Sequence, residues 1–356
     1  TDCNVMLGKL IPAHFPSLFG PNGDEPIDRE VVEAKFADLS REIAAETGQT
    51  MAPEAIAEGF VRIAVANMAQ AIRQISVARG HDVTNHALSC FGGAGGQHAC
   101  LVADALGMET VLIHPLAGVL SAYGMGLASQ AAVREASLGV ALEPGVEAAV
   151  ETLRERLADE AEAQLGQTPS RIEASLFIRP AASENAIELP PGPADELAAA
   201  FAAAHRAEFG YDGSGALVID RVRAEAVAED ASAMGLAWPM PAETGEPIET
   251  TACWLDGTAR QVPVWNRADL AAGFSAQGPL VIIDELATTV VEPGWALTVD
   301  PDGTLRLTRS APRAGLRSES AEADPIRLEV FNGLFMGIAE EMGTALARTA
   351  SSVNIR

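Results

Sequence analysis

The chain has 356 residues, 48% hydrophobic and 21% charged, enough apolar content to bury a large core over two or three domains and too little charge for general disorder. Acidic residues outnumber basic ones 49 to 24, and the formal charge of -25 repels phosphate backbones and anionic bilayers, which argues against nucleic-acid and membrane partners. A nucleotide ligand survives that exclusion, because oriented backbone N–H groups offset like charge locally.

Cys3, Cys90, Cys100 and Cys253 show no C-x-x-C pair and no regular spacing, which fits reduced thiols in a cytoplasm. No apolar run is read as a membrane span, and no basic-then-apolar leader stands at the front. The chain opens on Thr1-Asp2-Cys3-Asn4 without a Met and is expected to be cut from a longer polypeptide.

Residues 1–27 hold several Pro, Gly and Asn and read as extended loop. Asp28 caps a helix with an apolar face of Val32, Phe36, Leu39 and Ile43, closed by Gly48. Pro53 opens a longer helix whose stripe of Ile56, Phe60, Ile63, Ala64, Met68, Ile72 and Ile75 runs to Gly80. The run from His86 to Cys100 then places a short strand before Gly92-Gly93-Ala94-Gly95-Gly96, followed by a helical pattern (Leu101, Val102, Ala105, Leu106) that stops at Gly107. Thr110 to Ile113 reads as a buried strand, completing a strand–turn–helix–strand unit of an α/β sheet.

Alternation over 129–142 predicts a strand and 145–166 a charged helix. A strand near Ile172 to Ile178, an Ala-rich helix from Asp195 to Phe209 and a strand near Leu217 to Ala224 follow. From about 236 short β-rich runs (Val262 to Trp265, Leu280 to Ile283, Thr288 to Val291, Thr304 to Leu307) alternate with Gly and Pro turns and suggest a small β domain over 236–308. Residues 309–323 read as a linker. Beyond it Phe331, Leu334, Phe335, Ile338, Met342 and Leu346 mark an amphipathic helix.

The glycine turn carries two readings: a backbone that a ligand can approach without Cβ interference at a helix N-terminus, or a tight turn with close packing. It is not a dinucleotide fingerprint, since counting G-x-G-x-x-G from Gly93 ends on His98. It is not a P-loop either, since Gly8-Lys9 is followed by Leu10 and the only other lysine is Lys35. The six histidines include no H-x-H and no H-E-x-x-H, so no zinc hydrolase pattern is present. His98 alone is placed to face a bound group, and a helix N-terminus disfavours its protonation.

Phe91-Gly92-Gly93-Ala94-Gly95-Gly96-Gln97-His98-Ala99-Cys100 resembles a segment of the 5-oxoprolinase and hydantoinase A family, whose wider membership has Pro-Leu before the His. Thr1-Asp2-Cys3-Asn4-Val5-Met6-Leu7-Gly8-Lys9-Leu10 resembles that family's Thr-Asp-Ala-Asn stretch, and Gly118-Val119-Leu120-Ser121-Ala122-Tyr123-Gly124 its Pro-Gly-Val-Leu-Ser-Ala segment. Gly278-Pro279-Leu280-Val281-Ile282 and Pro293-Gly294-Trp295 are similar to its C-terminal β region. Asp324-Pro325-Ile326-Arg327-Leu328-Glu329-Val330, Glu340-Glu341-Met342-Gly343 and Arg348-Thr349-Ala350-Ser351-Ser352-Val353-Asn354-Ile355 resemble the opening of the hydantoinase B family. Arg179-Pro180-Ala181-Ala182 departs from the Arg-Tyr-x-Gly run common in the first family.

The resemblance implies an α/β, RNase H-like fold of the actin-like ATPase kind over 1–235, a β-rich domain over 236–308, the linker, and the start of a hydantoinase B-like domain over 324–356. It implies ATP and Mg²⁺ as cofactors, with Gly92, Gly93, Ala94, Gly95, Gly96 and His98 at the adenosine end of the nucleotide. The implied chemistry is ATP-driven opening of 5-oxo-L-proline to L-glutamate, in glutathione metabolism, with hydantoins as the second substrate class and catalytic residues outside this stretch. Its implied partners are the cyclic amide, the hydantoinase B-like domain of the same chain and further copies in a homo-oligomer. The contrasting reading is a nucleotide-binding assembly module without catalysis.

Overall fold

The computed structural model describes residues 1–77, 81–213, 215–229, 238–285, 287–312 and 325–349. The expected helix end at Gly80, most of the linker, Asp324 and the run from Ala350 lie outside them. The chain folds as two units, one of Thr1–Ile75, Asp82–Tyr123 and Leu236–Met336, the other of Ser76–His81, Gly124–Gly235 and Gly337–Arg356.

Residues 1–27 are not all loop. Helix α1 (Asp2–Met6) forms at the very start, drawn inward by Val5, Leu7 and Leu10, all buried. Helix α2 (Arg29–Thr47) begins at Asp28, whose carboxylate accepts from the Val31 N–H, and stops at left-handed Gly48. Helix α3 (Pro53–Val77) buries a different stripe from the expected one. Ile56, Ala57, Val61, Val65 and Ala69 enter the core while Phe60, Met68 and Ile75 stay exposed. Apolar residues stand on more than one side of the helix, so packing rather than periodicity selects the face, and small Ala57 and Ala69 permit close approach. Contrary to the sequence expectation, α3 is long and apolar enough by length and composition to cross a bilayer; its buried face makes it a core helix here.

Strand β1 (Leu88–Cys90), helix α4 (Ala99–Leu106) and strand β2 (Thr110–Ile113) form the expected unit, with β1 and β2 parallel and Gly107 ending α4 in the left-handed region. Helix α5 (Leu120–Leu127) follows and buries none of its residues.

The second unit holds strand β3 (Gln130–Ala141), helix α6 (Glu147–Leu165), strand β4 (Arg171–Pro180), strand β5 (Ile187–Leu189), helix α7 (Ala194–Phe209) and strand β6 (Leu217–Ala228). Their sheet runs β3-β6-β4-β5 with every pair antiparallel. One face alternates Leu176, Ile178, Ile219, Val222 and Ala224 into a core closed by Leu157 of α6 and Leu197 and Phe201 of α7. Strand β5, three residues long, escapes a periodicity reading. The Arg179 departure folds back on itself: its Nε pairs with Asp220 at 2.8 Å and its Nη1 donates to the Ser183 carbonyl at 2.9 Å.

Glu147 links the two helix starts of this unit by accepting from the N–H groups of Gly145 (2.8 Å) and Ala194 (3.2 Å). Its own backbone N–H first, then those of Ala194 and Gly145, hold its carboxyl below the ordinary glutamate value. A lowered folded value contributes stability above the unfolded value, and that stability is lost as pH falls through the folded one. Glu147→Gln is therefore expected to melt earlier than wild type at neutral pH, with the gap closing in acid. Parallel thermal melts across that range check it, and a gap that persists unchanged in acid would refute it.

The first unit resumes with β7 (Glu249–Leu255), β8 (Thr258–Asn266), β9 (Ser275–Gln277), β10 (Leu280–Ile283), β11 (Thr288–Val291), β12 (Trp295–Val299) and β13 (Leu305–Arg309). These strands do not make a separate β domain. Strands β13, β12 and β9 extend the sheet begun by β1 and β2, in the order β1-β2-β13-β12-β9, because β13 pairs antiparallel with the open edge of β2. The remaining four form a sheet ordered β11-β10-β8-β7, and β7 is tied to the segment after α1 by the Trp254 N–H on the Leu7 carbonyl. Residues 124–235 therefore interrupt one unit whose sheet is built from both sides of them. Helix α8 (Pro325–Thr349) leaves Phe331, Phe335, Ile338, Met342 and Leu346 exposed, the stripe the sequence marks as needing a surface.

Candidate functional site

Gly92 follows β1 with φ +92°, a backbone state that L side chains rarely adopt, and no atom lies within 4 Å of where its Cβ would stand. Its N–H donates to the Ala117 carbonyl at 2.8 Å. The chain then closes a 3-10 turn over Gly95–Gln97, in which the N–H groups of Gly95, Gln97 and His98 reach the carbonyls of Gly92, Ala94 and Gly95. His98 is the N-cap residue of α4, and its carbonyl accepts the first helical bond from Val102. Gly93 and Ala94 are the exposed part of the turn.

The two readings of the turn divide between its glycines. A Cβ on Gly96 would stand 2.7 Å from Thr289 Oγ1 and 2.8 Å from the Thr288 carbonyl, so Gly96 lets the turn lie against β11. A Cβ on Gly95 would stand 2.9 Å from Cys90 Sγ. Packing accounts for these two, whereas Gly92 has open space where a Cβ would stand and Gly93 and Ala94 are exposed.

Behind the turn sits a polar cluster that the sequence reading did not assemble. Asn4 Nδ2 donates to Gln97 Oε1 at 2.6 Å and lies 3.3 Å from His98 Nε2, with Asn4 and Gln97 both buried. Lys9 Nζ pairs with Glu292 Oε1 at 2.5 Å, and both side chains are 6% exposed. Burial pushes the Glu292 carboxyl up, and Lys9 opposes that shift. Burial first, and the charge of Lys9 second, bring His98 down to about 4, so the ring is neutral at neutral pH for a different main reason than the helix end. Asn4 and Lys9 stand in the opening stretch quoted above, but only the fold brings them to residues more than 90 positions away. Among the described residues no three His, Cys, Asp or Glu gather as metal ligands.

Residues 1–134 match the Hydantoinase/oxoprolinase family model and residues 324–356 the Hydantoinase B/oxoprolinase model. The chain is 34% identical to a 5-oxoprolinase of Dictyostelium discoideum over its whole length, which is 29% of that protein, and 33% identical to 5-oxoprolinase 1 of Arabidopsis thaliana, covering 30% of it. The chain thus spans less than a third of the length of these curated relatives. Among solved structures, the ATP-dependent caprolactamase from Pseudomonas jessenii superposes with a TM-score of 0.74 at 25% identity, over 87% of this chain and 46% of that one. The nucleotide-free acetone carboxylase gives 0.60 at 21% identity, over 86% of this chain and 46% of that one, and shows the fold alone. The α/β architecture expected from the sequence is the hydantoinase and actin-like ATPase fold these structures share. With a hydantoinase A match over residues 1–134, a hydantoinase B match over 324–356 and 34% identity across its whole length to part of a 5-oxoprolinase, the chain belongs to the hydantoinase/oxoprolinase family.

Proposed function

We propose that the full-length protein is an ATP-dependent hydrolase of cyclic amides that opens 5-oxo-L-proline to L-glutamate, and that this chain contributes the adenosine end of its nucleotide site. The observation that carries the reading is the succession of hydantoinase A and hydantoinase B matches in one chain, at 33–34% identity to proteins named 5-oxoprolinase. The caprolactamase, described as ATP-dependent, supports nucleotide use.

The turn fits such a ligand. Gly92 and the exposed Gly93 and Ala94 let a flat group approach the backbone, while Gly95 and Gly96 seat the turn on Cys90 and β11. Bound ATP would supply the phosphoryl group that activates the stable amide carbonyl toward water at the ring carbon, with the ring C–N bond broken, the nitrogen released as the amine and phosphate set free. Neutral His98 offers a hydrogen bond there without adding charge. For the Mg²⁺ that the resemblance implies, the described residues hold no cluster of ligands, and none of them is assigned to it.

The test is turnover by the full-length protein with 5-oxoproline, hydantoin and caprolactam, each with and without ATP. Glutamate and ADP are expected in equal amounts from 5-oxoproline, and only with ATP. Ring opening without ATP would refute the mechanism. Tight ATP binding with no turnover of any ring would favour the assembly-module reading.

A further inference from the structure

We propose that the exposed side of α3 is a docking surface for the hydantoinase B-like region that continues from α8 in the full-length protein, and that this region covers the α3 surface together with the outer face of α8. The inference rests on the family match and on the two helices, and it is independent of the nucleotide assignment.

Helix α3 is apolar on more than one side. One face enters the core through Val61, Val65 and Ala69. The other is a row of Phe60, Ala64, Met68, Ala71 and Ile75, at spacings of four, four, three and four residues, which is the repeat of a single helix face. All five are exposed, Met68 at 37% and Ile75 at 62%. Apolar side chains scattered singly over a surface carry no message, but a continuous row of them marks a place where another element lies.

The position of α8 shows what stands beside this row. A Cβ built on Gly333 would lie 3.8 Å from Gln70 Oε1 and 4.0 Å from Asn67 Oδ1, an ordinary van der Waals contact. Asn67 directly precedes Met68, and Gln70 directly precedes Ala71. Helix α8 thus comes to rest on polar side chains at the margin of the row and leaves the row itself open. Its own apolar stripe turns elsewhere. Phe335 stands two residues after Gly333, about 200° round a helix of 3.6 residues per turn. Phe331, Ile338, Met342 and Leu346 share that outer side at helical spacing, and all five are exposed. The contact with α3 therefore satisfies neither apolar row, and an element that covers α8 from outside arrives next to Met68.

Two observations select the occupant. Helix α8 lies within the hydantoinase B match, whose family it resembles only in its opening, and the chain amounts to 29% of its Dictyostelium relative, so the full-length protein has ample further chain to cover both rows. A region joined to α8 is also delivered to the row by its tether, at an effective concentration on the order of millimolar, which a second copy in dilute solution does not reach.

The test is site-specific photo-cross-linking in the full-length protein, with Ile75→benzoylphenylalanine and Met68→benzoylphenylalanine as two separate preparations. Irradiation followed by digestion and mass spectrometry is expected to link both positions to hydantoinase B-like peptides beyond residue 356, in a product of monomer mass. A product of twice that mass would overturn the proposal in favour of a second copy. A probe that captures no protein at either position would overturn it as well, because the face would then be open to solvent. As a second measurement, Met68→Glu combined with Ile75→Glu changes two positions that are already exposed here and so leaves the core of α3 intact. It is expected to speed hydrogen exchange about tenfold in the peptides that the probes capture, through easier local opening, with β3 and β6 unaffected. Exchange in those peptides that matches wild type would overturn the proposal.

Discussion

Lys9→Met is expected to destabilise the first unit by about 3–5 kcal/mol, because it strands the Glu292 carboxyl in a site from which water is excluded. The pair is closed to solvent on both sides, at 6% exposure each, so surface screening does not reduce it. Removing both charges at once is a different matter. Lys9→Met combined with Glu292→Leu replaces the ion pair by apolar volume and is expected to recover most of the loss, since two buried charges cost nearly as much to desolvate as they return. Urea unfolding of the wild type, both single variants and the double variant gives the full cycle. A single-variant loss below about 1 kcal/mol would mean that the pair behaves as a solvated surface contact.

Gly8→Ala is the second large effect. Gly8 has φ +71°, and a Cβ there would stand 2.1 Å from the Ala252 carbonyl oxygen, a backbone atom of β7 that cannot rotate away. The left-handed backbone alone costs a side chain roughly 1–2 kcal/mol. The collision adds the cost of pushing β7 off the segment after α1, about 1–3 kcal/mol or more. Gly48→Ala is the internal control, because φ is +73° there but nothing lies within 4 Å. Its expected cost is the backbone part only, so the difference between the two variants isolates the contact. Equal losses in both would show that β7 yields freely, and that the Trp254 and Cys253 bonds to Leu7 and Gly8 do not fix its position.

Local signals in the sequence located most elements because local chemistry makes them. Asp28 and Gly48 bound α2 through a side-chain cap and a left-handed stop, and the glycine turn sits between a strand and a helix as its composition requires. What the sequence hid is long-range. Periodicity does not single out the buried stripe on α3 because apolar residues stand on more than one side of that helix, so its neighbours choose the buried side. The β-rich tail of the first unit looked like a separate domain because nothing local reveals that β13 will pair with β2 across nearly 200 residues. At the site, Gly92 to Gly96 and His98 were legible as a turn and a helix start, but the glycines that serve packing could not be told from those that stay approachable. Asn4, Lys9 and Glu292 were invisible as a cluster, since each is an ordinary polar residue until the fold buries it beside the others.

The central claim, that the glycine turn receives the nucleotide, is tested most directly by hydrogen exchange on the full-length protein with and without a slowly hydrolysed ATP analogue. Gly93 and Ala94 are the exposed residues of the turn, and the 3-10 turn that follows them is held by single bonds from the N–H groups of Gly95, Gln97 and His98. Bound nucleotide should slow exchange across residues 92–98, while β3 and β6 of the second unit exchange as before. Saturating analogue that leaves 92–98 unchanged and protects other segments would contradict the assignment.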